Sequence, residues 1–270
     1  MDLDAYFARV GFSGARVPTL DTLRQLHLAQ AQTIAFENLN PLLGLRVAID
    51  LPSIEEKLVR SGRGGYCFEQ NALLAAALRE LGFNVTGLAA RVLWNAAEDA
   101  IRPRSHMLLK IDLGAESHIA DVGFGGLTLT GPLRLITDVE QSTPHEPFRL
   151  VKIDKDFKLQ ALIGAAWKTL YRFDLQPQFD VDYEVPNHYT STYPSSHFRS
   201  MLVVARPVPG GRYALSNNQL AIHHVDAPSE RRVLASVGEV RQVLESMFGL
   251  TLPRAAELDP ALARACGFQA

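Results

Sequence analysis

Cysteine is nearly missing from this sequence: of 270 residues, only Cys67 and Cys266 carry a thiol. They lie far apart and in unlike surroundings, so no disulfide framework is implied, and a reducing compartment that leaves the thiol at 67 free is expected. Long hydrophobic runs are also lacking, since no apolar stretch approaches the ~18 residues of a membrane span. The opening Met1-Asp2-Leu3-Asp4 is acidic where a secretory signal needs a basic region. A cytoplasmic protein without a membrane partner is the expectation. There is no excess of positive charge either: the formal net charge is −2, which supplies no basic field for nucleic acid. Metal-ligand spacing is wanting, because the adjacent His223-His224 is the only close Cys/His pair, and no metal is expected. Neither the Walker spacing nor the full dinucleotide fingerprint is present, and there is no internal repeat.

What is there is material for a sizeable core, with 47% hydrophobic residues against 21% charged. Leu3 to Gly11 and Leu20 to Phe36 carry apolar residues at helical spacing, with Thr19 or Asp21 as cap. Ala35-Phe36-Glu37-Asn38-Leu39 then sets a polar pair among apolar neighbours, for which a solvated loop is the plain expectation. Arg46 to Ile49 reads as strand-like, and Ser53 to Arg60 as a short helix opened by a Ser-Ile-Glu-Glu capping box. From Asn84 the period changes. Val85 to Trp94, His106 to Ile111, His118 to Val122, Phe148 to Ile153, Phe157 to Ile163 and Lys168 to Phe173 read as antiparallel strands of a small barrel or curled sheet. Asp182 to Phe198, rich in Tyr, His, Ser and Thr, reads as a helix and loop crossing between lobes. Four strands follow between Met201 and Ala235, then helices at Val240 to Phe248 and Ala261 to Ala265.

The stretch with the most chemical content is Arg63-Gly64-Gly65-Tyr66-Cys67-Phe68-Glu69-Gln70-Asn71. Two glycines permit a tight, positive-φ turn, and a run of strong helix formers from Asn71 to Leu81 places Cys67 in the first helical turn. There the unpaired N–H groups and the positive end of the helix dipole favour the thiolate, the nucleophilic form. A thiolate nucleophile needs a histidine, and the histidine needs an orienting carboxylate or amide. His106 with Asp121, at the ends of neighbouring strands, is one candidate pair; His118 with Asp112 is another, and pattern alone does not separate them. Gly123-Phe124-Gly125-Gly126, after a strand, can turn amide groups toward a phosphate or can serve as a plain tight turn.

Taken together, Ala35-Phe36-Glu37-Asn38-Leu39, Arg63-Gly64-Gly65-Tyr66-Cys67-Phe68-Glu69, Ser105-His106-Met107, Asp121-Val122-Gly123-Phe124-Gly125 and Asn187-His188-Tyr189-Thr190-Ser191-Thr192-Tyr193-Pro194 resemble the ordered motifs of the arylamine N-acetyltransferases. Ala35 departs from the proline common in that family before Phe-Glu-Asn-Leu. The resemblance implies an α+β architecture: a helical lobe (1–83) with the nucleophile, an antiparallel β-barrel lobe (84–185) with the His and Asp, and an interdomain segment with an α/β lid (186–270). It implies a thiol-protease-like triad of Cys67 as nucleophile, His106 as base and Asp121 as orienting acid. It also implies acetyl-CoA as the acetyl donor, no metal, and an arylamine, hydrazine or N-hydroxyarylamine as acceptor in a ping-pong reaction. Phe36, Phe124 and Phe198 are the expected walls for the acceptor, and Gly125 and Gly126 the expected approach for CoA. The resemblance leaves room for a homodimer. It further pairs Glu37 with Arg63 to brace the turn before Cys67. An amide synthase of the same scaffold acting on a polyketide chain, a thiol hydrolase or transglutaminase-like enzyme, and a non-catalytic binding module are the alternative readings.

Overall fold

The computed structural model describes residues 1–269. Four helices lead up to the cysteine: α1 (Leu3–Val10), α2 (Leu20–Thr33), α3 (Leu39–Leu42) and α4 (Leu51–Ile54). Helix α2 opens where Thr19 accepts from the Thr22 amide, which satisfies one of the orphan N–H groups of its first turn. Helix α4 starts earlier than the sequence suggests. Asp50, not Ser53, caps it by accepting from the Ser53 amide, and the chain continues as a π-helix over Glu55–Arg60. Helix α5 (Cys67–Glu80) follows, packed into a core that includes Leu73, Leu74, Ala77 and Leu78.

The two-residue strand β1 (Phe36–Glu37) lies between α2 and α3. Its polar residue is no solvated loop position: Glu37 and Asn38 are both buried. The strand-like segment Arg46 to Ile49 forms no strand. The carbonyl of its buried Val47 is instead taken by the Asn187 side chain, so the backbone acceptor is satisfied without a ladder.

Strands β2 (Asn84–Val92), β3 (Arg104–Leu113), β4 (Glu116–Ala120), β5 (Leu133–Arg134), β6 (Phe148–Ile153), β7 (Asp156–Ile163) and β8 (Ala166–Phe173) form one antiparallel sheet. Its order is β5-β4-β3-β2-β8-β7-β6. The two ends curl toward each other, because Gln141 bonds the backbone of Arg134 through its side chain and that of Phe148 through its main chain. This near-closure covers edges that would otherwise stay unpaired. The interior is filled by Leu88, Leu108, Ile119, Phe148, Leu159 and Tyr171 among others.

After Asp180–Tyr183, a 3₁₀ turn, come α6 (Glu184–Thr192), β9 (Val203–Val208), β10 (Gly211–Ser216), β11 (Gln219–His224), β12 (Glu230–Val233), α7 (Val237–Ser246) and α8 (Ala255–Cys266). The second sheet runs β1-β9-β10-β11-β12. Early and late segments of the chain therefore share a sheet: Phe36 pairs with Ala205 and Glu37 with Val204. Leu39 and Leu42 of α3 join the core formed by this sheet with α7 and α8. No helix among the described residues is long and apolar enough to cross a membrane.

Candidate active site around Cys67

The turn that delivers Cys67 is held by close backbone approach, and positive φ has no part in it at the two glycines. Gly64 and Gly65 are not among the left-handed residues, whereas Gly62 just before them is. Their value is steric: a Cβ on Gly64 would stand 2.2 Å from the Ala35 carbonyl oxygen. The absence of side chains lets this segment bridge to Phe36, with Glu37 N–H donating to Gly65 O and Gly65 N–H donating to Ala35 O.

Buried charge braces the same turn. Glu37 Oε1 accepts from Arg63 at 2.8 Å and lies 3.7 Å from Lys57 Nζ, while Glu37 Oε2 accepts from the Leu39 amide. Burial works against the Glu37 carboxylate, yet the Lys57 and Arg63 charges and these hydrogen bonds outweigh it and hold its pKa below the usual value. Lys57 is shared with Glu69 at 2.6 Å. Burial, aided by the nearby Glu37 charge and resisted by Lys57, pushes the Glu69 carboxyl up. Glu69 in turn accepts from the Tyr66 amide and caps α5. Arg63→Ala removes the nearer of the two cationic partners of a fully buried carboxylate and should cost ~3 kcal/mol of stability, at the low end for a broken buried pair because Lys57 remains. Denaturant unfolding checks this: a midpoint equal to that of the parent protein would show that the pair carries no stability.

Cys67 is the first residue of α5 and is 6% exposed. Its Sγ lies 3.8 Å from the Ser105 carbonyl oxygen, and its side chain reaches the neighbouring His106 imidazole. On the far side of that ring, His106 Nε2 is 2.7 Å from Asp121 Oδ2. The sheet explains the meeting. Leu109 is paired with Ala120, and one further step of that register sets Asp121 opposite Leu108, on the same face as His106. Burial disfavours a charged imidazole, but the charge and hydrogen bond of Asp121, with a contribution from Cys67, push the His106 pKa up to about 10. Asp121 moves the opposite way. Burial would raise it, and the His106 charge with donors from His106, Asn71 and Gly123 brings it below its usual range.

The rival pair is not assembled. Asp112 is engaged by Lys110 and Ser117, while His118 pairs across the ladder with Ile111 and lines a separate cleft. His223 and His224 bond Ser229 and Glu230, and no group of three or more His, Cys, Asp or Glu among the described residues is arranged to hold a metal ion.

Phe124 stands edge-on to the His106 ring at 5.4 Å between centroids. Phe36 and Phe198 pack on each other at 6.1 Å, and Phe198 also meets Tyr66. Gly125 has φ +92°, and a Cβ there would be 3.6 Å from the Phe36 ring. The three phenylalanines and the glycine turn therefore border one region near Cys67. Gly126 is exposed, with open space where its Cβ would be. Gly123 is the tight position: a Cβ would sit 2.7 Å from Cys67 Cα.

Sequence reasoning gave no role to four supporting residues, although Asn71 and Asn187 stand within the motifs it singled out. Asn71 donates to Met107 O and Asp121 Oδ1 and accepts from the Val122 amide. It lies one helical turn after Cys67, on the same face, and a polar residue in an Ala/Leu run was the available signal. His27 accepts from the Asp121 amide at 3.1 Å, and burial drives its pKa down to about 4, so it stays neutral beside the carboxylate. Asn187 joins Tyr66 to Val47. Arg212, 2% exposed, holds Glu146 and the Thr128 carbonyl, and so ties β10 to the loop after Asp121. Nothing in the local sequence marks His27 or Arg212.

The chain's relatives agree with this architecture. The sequence model of an N-acetyltransferase family matches residues 19–257. An arylamine N-acetyltransferase of Escherichia coli is 45% identical over 92% of this chain and 88% of its own length. A Salmonella typhimurium protein named arylamine N-acetyltransferase / N-hydroxyarylamine O-acetyltransferase is 41% identical over the same shares. Among solved structures, Mycobacterium marinum arylamine N-acetyltransferase in complex with CoA superposes with a TM-score of 0.95 at 37% identity, covering 98% of this chain and all of that one. With both its sequence and its α+β fold shared almost end to end with these proteins, the chain belongs to the arylamine N-acetyltransferase family.

Proposed function

We propose that this chain is an acetyl-CoA-dependent arylamine N-acetyltransferase working by a ping-pong route through acetyl-Cys67. The observation that carries the reading is the buried line Cys67, His106, Asp121, in which the imidazole is flanked by a thiol and a carboxylate. The Asp121 carboxylate takes the Nε2 side, which leaves Nδ1 for Cys67. In the resting ion pair the thiolate attacks the acetyl-CoA carbonyl, the CoA sulfur leaves, and it takes the proton of the His106 imidazolium. An arylamine, hydrazine or N-hydroxyarylamine then attacks acetyl-Cys67. Neutral His106 takes the proton from the amine or hydroxyl, and Cys67 departs as thiolate. Asp121 fixes the tautomer and stabilises the imidazolium in each half-reaction. Backbone N–H groups at the start of α5 are the natural donors to the developing oxyanion. The three lobes at 1–83, 84–185 and 186–270 are our division of labour among nucleophile, base and lid. A reducing cytoplasm suits a mechanism that depends on a free thiol. Incubation with acetyl-CoA and a panel of arylamines tests the reading: acetylated amine and CoA should form in equal amounts, and failure of every amine with acetyl-CoA would defeat it.

Two expectations follow from the geometry. His106 has a raised folded pKa, so its stabilisation of the fold is full below about 6.5, declines above it, and is gone above about 10. Melting temperature should therefore fall between pH 7 and pH 10 more steeply in the parent protein than in Asp121→Asn; parallel curves would refute the coupling. For the donor side, Gly126 is exposed with open space around it, so a phenylalanine there leaves the fold alone. Gly126→Phe should raise the KM for acetyl-CoA by about tenfold, ~1.4 kcal/mol of binding, and alter that for arylamine less. The opposite pattern would assign the 125–126 turn to the acceptor.

A further inference from the structure

His118, the histidine that the Cys67 site does not use, lines a cleft of about 440 Å³ between α2 and the β4–β5 edge of the barrel sheet. That volume is in the range of small-molecule sites, and neither Cys67, His106 nor Asp121 borders it. Its walls are mixed: Leu28 of α2 and Pro132 of the loop before β5 are apolar, while Arg24, Glu116, His118 and Arg134 are polar. Two features of the polar part are unbalanced. Two guanidinium groups face one carboxylate, Glu116, which already lies 3.2 Å from Arg134. The His118 ring is only 4% exposed, and its Nδ1 has no hydrogen-bond partner in the protein. A buried polar atom without a partner is uncommon enough to call for an explanation.

We propose that this cleft binds a small organic carboxylate, with its apolar body against Leu28 and Pro132 and its charge held by Arg24 and Arg134 beside His118. Guanidinium groups match a carboxylate through paired N–H donors, and the surplus positive charge of the lining supplies the sign. The apolar walls favour a ligand with a hydrocarbon or aromatic body over a bare inorganic anion. Burial and the two arginines lower the His118 pKa against Glu116, so the ring meets the ligand neutral, as a hydrogen-bonding group. The proposal does not depend on the reading of Cys67.

The test is an NMR titration of the histidine ring signals with benzoate, His118 being assigned by its loss in His118→Gln. Benzoate should shift the His118 signals saturably, and neutral benzamide should bind at least about tenfold more weakly. Arg24→Gln, a change on the exposed face of α2, should weaken benzoate by about tenfold while Cys67 is acetylated by acetyl-CoA at the parent rate. The proposal is overturned if the His118 signals do not move saturably, if benzamide binds as well as benzoate, or if Arg24→Gln has no effect. Inorganic phosphate binding as tightly as benzoate would also overturn it, in favour of a bare anion site.

Discussion

Asp121→Asn should give a folded protein whose acetyl transfer to an arylamine is slower by roughly four orders of magnitude. The fold survives because the shape is unchanged and the new amide oxygen can keep both donors that Oδ1 now receives, Asn71 Nδ2 at 3.0 Å and the Gly123 amide at 2.9 Å. Satisfying those two donors turns the new NH₂ toward His106 Nε2, now 2.7 Å from Oδ2. An N–H donor there forces Nε2 to act as acceptor, so the imidazole proton moves to Nδ1, the nitrogen that must take a proton from Cys67. The variant therefore loses the charge that stabilises imidazolium and holds the wrong tautomer. Single-turnover acetylation from acetyl-CoA reads the effect directly. Near-normal turnover in Asp121→Asn, with Asp112→Asn inactive, would hand the role to the rival carboxylate.

The same residues show where sequence reasoning reached and where it stopped. Helical periodicity located α2 and period-two patterning located most barrel strands, because these elements bury one face against the core, whereas α5, buried nearly all round, was legible from its run of strong helix formers. The two-residue strand β5 was invisible, since its partners are supplied by β4 and by the Gln141 side chain. Glu37 looked like a solvated residue because its burial depends on Arg63 and Lys57, 26 and 20 positions away, and on a sheet completed by β9. The Gly64-Gly65 pair was legible as a constraint, but its cause was not: the need is room for Ala35 O at Gly64 and for the Glu69 side chain at Gly65, which only the folded neighbours reveal.

Choosing between the His106–Asp121 and His118–Asp112 pairs required the resemblance. Both pairs sit on β3 and β4 or their ends, and the sequence does not state which face of those strands meets α5. The geometry does, because Asn71 reaches across from the cysteine helix to Asp121, whereas Asp112 is occupied by Lys110. Beyond Phe198, the C-terminal part was read as a set of strands and helices without a residue-level argument for what they do near the site. The link runs through Arg212 and its hold on the loop after Asp121, a contact 84 residues apart in sequence. Long-range polar contacts of this kind leave no periodic trace.

Acetyl-CoA without any amine should leave a single acetyl group on Cys67, and Cys67→Ala should abolish both that species and turnover, a loss on the order of a millionfold for a triad nucleophile. The intermediate should persist because the site that holds it is nearly closed to solvent: Cys67 is 6% exposed and His106 3%. Water that does enter is a weaker nucleophile than an arylamine held among aromatic side chains. Cys67→Ser should also fail to accumulate the ester, since a hydroxyl is far less ionised than a thiol near neutral pH and an imidazole suited to pairing with a thiolate activates it poorly. Cys266→Ser is the control. That residue lies at the end of α8, half-buried, with its thiol pKa pushed up to about 11 by burial, so it should take no part and its loss should leave acetylation intact. Intact-protein mass spectrometry with peptide mapping decides the matter. An acetyl group on Cys67 that an arylamine discharges, with N-acetylarylamine appearing in step, is the expected result. Acetylation mapped only to lysines, or an acetyl-Cys67 that no amine removes, would sink the ping-pong mechanism.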